Sequence, residues 1–284
     1  MEFSWFPYSL AATVLFGVAM AFYKLPSAKN HNRFVATFWS LMIPTILAFL
    51  FFHSYLSLST PTMMWTALLW GITFTCIVLL QMYALHHVDT NVLFPITGTA
   101  SLIITVLIGI FFFGEHISFI QTLGVILAIV TIFLFLYKGG KLQYSQLLIG
   151  VGSGIVFISA FNKVLQKIVA DKFDIHAFQI YQYLFAAIFS LLIYLILHRR
   201  DWKTRIFSGG LGIGSLIGVF SFFGGYSLYV ALTKGPFSLI TSIHSLYILV
   251  TALVAYFLFQ EQLTVKKTFL LFFAIIAVVL IRIG

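Results

Sequence analysis

The sequence predicts an all-α integral membrane protein with ten transmembrane helices arranged as two inverted five-helix repeats. Three observations carry this prediction. Hydrophobic residues make up 61% of the 284-residue chain and charged residues only 8%, with a mean hydropathy of +1.08. A soluble domain carries roughly a quarter charged residues, so water is not the main solvent here. The 33 Phe and 13 Tyr suit a lipid-facing exterior. Next, apolar stretches near the ~20 residues needed to cross a bilayer follow one another along the whole chain. Finally, the second half of the sequence repeats the first.

The stretches are 5–23, 34–52, 63–85, 91–113, 119–137, 147–162, 177–197, 209–232, 237–259 and 267–283. The first follows a terminus with only Glu2 and no basic segment, so it reads as a retained helix rather than a cleaved signal. The second opens after Arg33 and contains Pro44, and the fourth contains Pro95. Proline removes a backbone donor and bends a helix. The eighth is rich in glycine, from Gly209 to Gly225. Glycine weakens an isolated helix but allows close backbone approach between helices in lipid. The longest polar breaks, around Lys24–Arg33, Lys163–His176 and His198–Ser208, are too short for a separate soluble domain.

The repeat is read from ordered matches. Tyr83, Thr105, Phe113 and Glu115 align with Tyr229, Thr251, Phe259 and Glu261 at a constant spacing of 146, the distance from Glu115 to Glu261. Ala21-Phe22-Tyr23-Lys24 aligns with Ala160-Phe161-Asn162-Lys163, which divides the chain into repeats 1–142 and 143–284. Five helices per copy is an odd number, so the second copy enters the bilayer in the opposite sense. Inverted repeats are a hallmark of secondary transporters, because two similar halves give inward-open and outward-open states of comparable energy. Some channels share this organisation.

Phe112-Phe113-Gly114-Glu115-His116-Ile117-Ser118, ending the fourth stretch, resembles an F-x-G-E motif of the drug/metabolite transporter superfamily, in its EamA-like ten-helix branch. Phe259-Gln260-Glu261-Gln262-Leu263-Thr264 is its second copy, with Gln260 in place of glycine, and Lys24 with Arg33-Phe34 also resembles the family pattern. The resemblance covers nearly the whole chain. It implies a basket of ten helices around a central cavity lined mainly by helices 1, 3, 4, 6, 8 and 9, and export or import of amino acids, other metabolites, nucleotide-sugars or drugs.

Polar side chains at mid-span face a cavity or another helix, because a polar group left in hydrocarbon costs several kcal/mol, in order of magnitude. His244 is the leading candidate, with Ser242, Ser245 and Tyr247 around it and Gly98 as its repeat partner. It could bind substrate, carry a coupling proton, or simply hold two helices together. Helix 4 offers Asn91, Thr97 and Ser101, helix 3 Gln81 and Tyr83, and helix 8 Tyr226 and Tyr229. Tyr83 and Tyr229 suit either the mouth of a cavity or the interfacial aromatic belt. Lys24 and Lys163 occupy equivalent positions at the ends of helices 1 and 6, where each attracts an anionic substrate group, meets a helix C-terminus or snorkels to headgroups. Glu115 and Glu261 read chiefly as helix-end caps.

Other classes are excluded or disfavoured. The net charge of +9 lies in short breaks, with no basic face for nucleic acid. Single Cys76 rules out an intramolecular disulfide. His86-His87 with Asp89 lacks converging ligands, so no metal is expected, and nothing implies a cofactor. There is no Walker A sequence, nucleophile elbow or carboxylate pair. The side opposite the termini holds most of the Lys and Arg, which by the positive-inside rule puts the termini outside the cytoplasm; the family resemblance implies cytoplasmic termini.

The expectation is therefore a secondary transporter, an exporter of a small metabolite such as an amino acid, with a midplane site between the repeats. Multidrug or cationic-compound export is the alternative within that class, and a channel the alternative outside it. The expected partners are the small-molecule substrate and membrane lipids, with a monomer ahead of a dimer, in a bacterial plasma membrane.

Overall fold

The computed structural model describes residues 3–29, 31–85, 87, 90–136, 146–197, 206–207, 209–259 and 265–284, and every regular element among them is helical. In chain order the α-helices are α1 (Phe6–Phe22), α2 (Leu25–Ala28), α3 (Arg33–Phe52), α4 (Pro61–Ala84), α5 (Thr90–Phe111), α6 (Phe119–Leu136), α7 (Gln146–Lys172), α8 (Ile175–Leu197), α9 (Gly210–Lys234), α10 (Phe237–Ser245), α11 (Tyr247–Phe259) and α12 (Val265–Ile283). Six spans among the described residues are long and apolar enough to cross a membrane, the pair α10–α11 counting as one from Phe237 to Leu258. The apolar helices Phe6–Phe22, Ile96–Phe111, Phe119–Ile132 and Phe272–Ile283 are shorter.

Local chemistry sets the ends of these helices. Asn32 caps α3 by accepting from the Phe34 N–H at 2.9 Å, and Thr60 caps α4 through the Met63 N–H. Asp174 accepts from the N–H groups of His176 and Ala177 at the start of α8. Pro61 sits in the first turn of α4, where its missing donor costs nothing.

Two helices differ from expectation. The sixth does not stop at 162 but runs to Lys172, and Ser159, Asn162, Lys163 and Gln166 share one face of this otherwise largely apolar helix. Lys163 is therefore inside a helix, whereas Lys24 lies in the turn after α1, so the two do not share a helix-end position. The ninth is interrupted at Leu246, where the N–H turns back to the Ile243 carbonyl at 3.0 Å.

Packing between the halves follows an exchange rule. In the first half α1, α3, α4, α5 and α6 rank one to five; in the second, α7, α8, α9, α10–α11 and α12. The contact of α1 with α9 is matched by α7 with α4, α3 with α9 by α8 with α4, and α1 with α11 by α7 with α5. Helices of equal rank meet directly, α3 on α8, α5 on α10 and α6 on α12.

Small residues make these contacts close. Along α9, a Cβ on Gly214 would lie 2.5 Å from the Ala36 carbonyl and one on Gly218 2.9 Å from Pro44, so the glycines of the eighth stretch are a packing face against α3. On α1 the stripe Ser9, Thr13 and Gly17, one turn apart, faces the interrupted helix. Thr13 donates to the Ile243 carbonyl at 3.1 Å, and the Gly17 carbonyl accepts from Thr251 at 3.0 Å. Outward, Phe111, Phe112, Phe119, Trp65, Ile196 and Phe257 are exposed, which suits a hydrocarbon solvent and no other.

Candidate functional site

The interruption at Leu246 lies beside a cavity of about 100 Å³ between the two halves. Helix periodicity aims its lining. Four residues of α7, Ser159, Asn162, Lys163 and Gln166, fall at i, i+3, i+4 and i+7, so one polar stripe of an apolar helix faces the cavity. Trp70, Phe74, Ile77 and Gln81 do the same on α4. Thr97, Gly98 and Ser101 come from α5, Phe16 and Met20 from α1, Leu228 from α9, and His244 and Tyr247 flank the interruption.

The lining has two characters. One part is apolar and aromatic: Trp70 and Phe74 stack at 4.4 Å with planes 18° apart, and Phe16 meets the His244 ring edge-on at 5.0 Å. The other part is polar and unsatisfied. Trp70 Nε1, Gln81 Oε1, Ser101 Oγ, Asn162 Nδ2 and His244 Nδ1 are buried with no hydrogen-bond partner among the described residues. Buried polar atoms are normally paired; these five gather at one cavity, while others, on Thr99, Gln179 and Gln182, lie outside it. Asn162 is held in place: its Oδ1 accepts from Thr73 at 2.7 Å, which turns its Nδ2 away from that bond. Lys163 brings the charge, and no carboxylate among the described residues pairs with it.

Of the residues singled out in the sequence, His244, Tyr247, Thr97, Ser101, Gln81 and Lys163 line the cavity. The others lie elsewhere. Ser242 is buried and donates to the Ser238 carbonyl within its own helix. Tyr229 is buried and donates to Gln182 Oε1 at 2.7 Å. Its repeat counterpart Tyr83 is 38% exposed, with the Arg33 guanidinium 5.4 Å over its ring, an interfacial environment. Tyr226 packs against Phe52 at 5.4 Å and His176 at 5.7 Å, outside the cavity. Lys24 lies in the turn between α1 and α2. Asn91 is in the first turn of α5, its side chain outside the described residues, as are His86, Asp89 and Glu261.

Sequence reasoning missed Trp70, Phe74, Asn162, Ser159 and Gln166. The polar stripe on α7 was visible as a 3.6-residue period. Nothing distinguishes Trp70 and Phe74 from the many lipid-facing aromatics.

Glu115 is not in the cavity. It lies beyond the end of α5, where Gly114 takes a left-handed φ of 65° and turns the chain back. Its carboxylate accepts from the N–H groups of Phe237 and Ser238 and from the Ser238 hydroxyl, closing the N-terminus of α10.

An apolar exterior, a helical bundle whose halves exchange contacts, and a polar cavity beside an interrupted helix define an integral membrane protein of the transporter class. The chain belongs to the EamA-like transporter family, whose sequence profile matches it twice, over residues 3–137 and 147–283. Among solved structures it is similar to a chain described only as "Crystal structure of protein". The TM-score is 0.77, over 99% of this chain and 96% of that one at 13% identity, a likeness of fold. A search of curated protein sequences finds no match.

Proposed function

We propose that the protein is a secondary transporter, an exporter of a small metabolite such as an amino acid, working by alternating access from a site between two inverted repeats of five transmembrane helices. The carrying observation is the set of five unpartnered buried polar atoms around one cavity between the halves. A small polar ligand with an apolar body satisfies both parts of that lining. The exchange rule in the packing supports two repeats, 1–142 and 143–284, that rock against each other, since the contacts of α1 with α9 and α11 and of α3 with α9 each have a counterpart with the halves exchanged. The place of the cavity between the two halves supports a midplane site, as the sites of many secondary transporters lie at the repeat interface. The setting in this reading is the bacterial plasma membrane, with the protein working as a monomer.

The test is ligand stabilisation of the purified protein in detergent, screened over amino acids, nucleotide-sugars, nucleobases and cationic drugs. A ligand present at 100 times its dissociation constant stabilises the fold by about 2.7 kcal/mol. The expected hit falls among amino acids and fades in His244→Ala. A hit confined to cationic drugs, unaffected by His244→Ala, would overturn both the cargo and the site.

A further inference from the structure

We infer that the cavity recognises an anion, a carboxylate joined to an apolar or aromatic body, and that Lys163 is the residue that pairs with it. The inference deepens the transporter reading and rests on it only for the claim that the bound anion is carried.

Lys163 lies inside the 27-residue α7, nine positions before its end, and lines the cavity beside Asn162 and Gln166. Three of the seven acidic residues of the chain are described, and each has a partner elsewhere. Glu115 closes α10, Asp171 holds Lys167 at 2.8 Å, and Asp174 caps α8. The other ionisable side chains of the lining are His244 and Tyr247, so no acid among the described residues offsets the ammonium. A charge removed from water is strongly unfavourable unless paired. A carboxylate arriving with the substrate supplies the missing partner, and an organic cation in the same space meets repulsion.

The surrounding donors agree with an anion. Asn162 Nδ2 and Trp70 Nε1 are N–H groups without acceptors, buried around the same cavity as the ammonium. A carboxylate has two oxygens and about four lone-pair sites, enough for Lys163 and these donors together. Phe16, Met20 and Phe74 line the remainder and suit an apolar body.

The experiment uses three probes that share one body: 3-phenylpropanoate carries only the carboxylate, phenylalanine both charges, and 2-phenylethylamine only the ammonium. Binding is read by thermal stabilisation and by titration calorimetry on the full-length protein in detergent. The expected order is clear stabilisation by 3-phenylpropanoate and phenylalanine, and none by 2-phenylethylamine. In Lys163→Gln the dissociation constant for 3-phenylpropanoate rises at least tenfold, and Lys163→Arg, which keeps the charge, restores part of the affinity. Stabilisation by the amine equal to that by the acid overturns the inference, as does a flat response to all three probes, or an acid affinity unchanged in Lys163→Gln. The wild-type comparison stands even if Lys163→Gln fails to fold. Flux of labelled 3-phenylpropanoate into proteoliposomes is measured separately. Binding without flux would overturn the transporter reading and leave the Lys163 assignment intact.

Discussion

Glu115 accepts a hydrogen bond of 2.8 Å from the backbone N–H of Ser238, so the residue that follows α5 caps the helix α10 that begins in the other half of the chain. The first N–H groups of a helix have no partners of their own and carry the positive end of its dipole. A carboxylate there satisfies both needs. Glu115→Gln removes the charge and weakens three hydrogen bonds. It lowers stability by about 1.5–3 kcal/mol, the range for bonds to a charged group. Thermal unfolding in detergent checks this, and an unchanged midpoint contradicts the cap.

Gly114 makes that cap possible by its φ of 65°, with open space where a Cβ would stand. Gly114→Ala therefore carries backbone strain and no clash. The expected loss is about 1–2 kcal/mol, and Gly114→Asn, which tolerates the left-handed region, loses less. Equal losses for the two variants would point to packing instead.

Glycines on the helix faces separate by what they touch. A Cβ on Gly17 would lie 2.4 Å from Val250 Cβ and 2.9 Å from the Tyr247 carbonyl, so α1 and α11 must move apart to accept it. Gly17→Ala costs about 1–3 kcal/mol through overpacking. Gly212, with nothing within 4 Å, is the control. Gly212→Ala is neutral or gains up to about 1 kcal/mol, from helix propensity. The two unfolding midpoints, measured side by side, test the packing face directly.

Two tyrosines that match in the repeat have different work. Tyr229→Phe removes the donor to Gln182, a fully buried amide, and costs about 1–3 kcal/mol for the acceptor left unsatisfied. Tyr83→Phe, at a half-exposed ring, is expected to be near neutral. Ligand affinity stays unchanged in Tyr83→Phe, because that ring does not line the cavity, whereas Tyr229 also meets Gln166 of the lining. A tenfold loss of affinity in Tyr83→Phe would move the site outward toward that tyrosine.

Cavity access gives a further prediction. With the native thiol removed as Cys76→Ala, Ser159→Cys, partly exposed in the cavity lining, reacts with a charged methanethiosulfonate reagent, and bound ligand slows the reaction. Thr131→Cys, buried in α6 away from the cavity, stays unreacted. Equal labelling of both positions would mean that the bundle, rather than the cavity, admits water.

The helical membrane class was legible because composition and long apolar runs leave no other solvent for the chain. The mid-span polar residues His244, Thr97, Ser101 and Gln81 were legible as interior for the same reason: hydrocarbon excludes them. Hydropathy failed at α7. Lys163, Gln166 and Lys167 lower a window average as a helix end does, although their spacing keeps the first two on one face of a continuing helix. The cap on α10 was half legible, since a lone glutamate at a helix end suggests a cap but not whose. The Tyr83 and Tyr229 pair misled because repeat equivalence fixes backbone position and not neighbours. Ser9 and Thr13 passed unnoticed because their partners, the carbonyls of Ile240 and Ile243, are more than two hundred residues away.

Alternating access is tested most directly by counterflow in proteoliposomes, with labelled phenylalanine outside and unlabelled phenylalanine at high or zero concentration inside. The expected result is saturable uptake that is accelerated severalfold by unlabelled substrate inside, since an empty cavity must close around a Lys163 with no carboxylate partner among the described residues and a loaded one does not. Uptake that rises linearly with concentration, ignores the inner solution and accompanies ohmic single-channel currents would contradict it and make the cavity part of a pore.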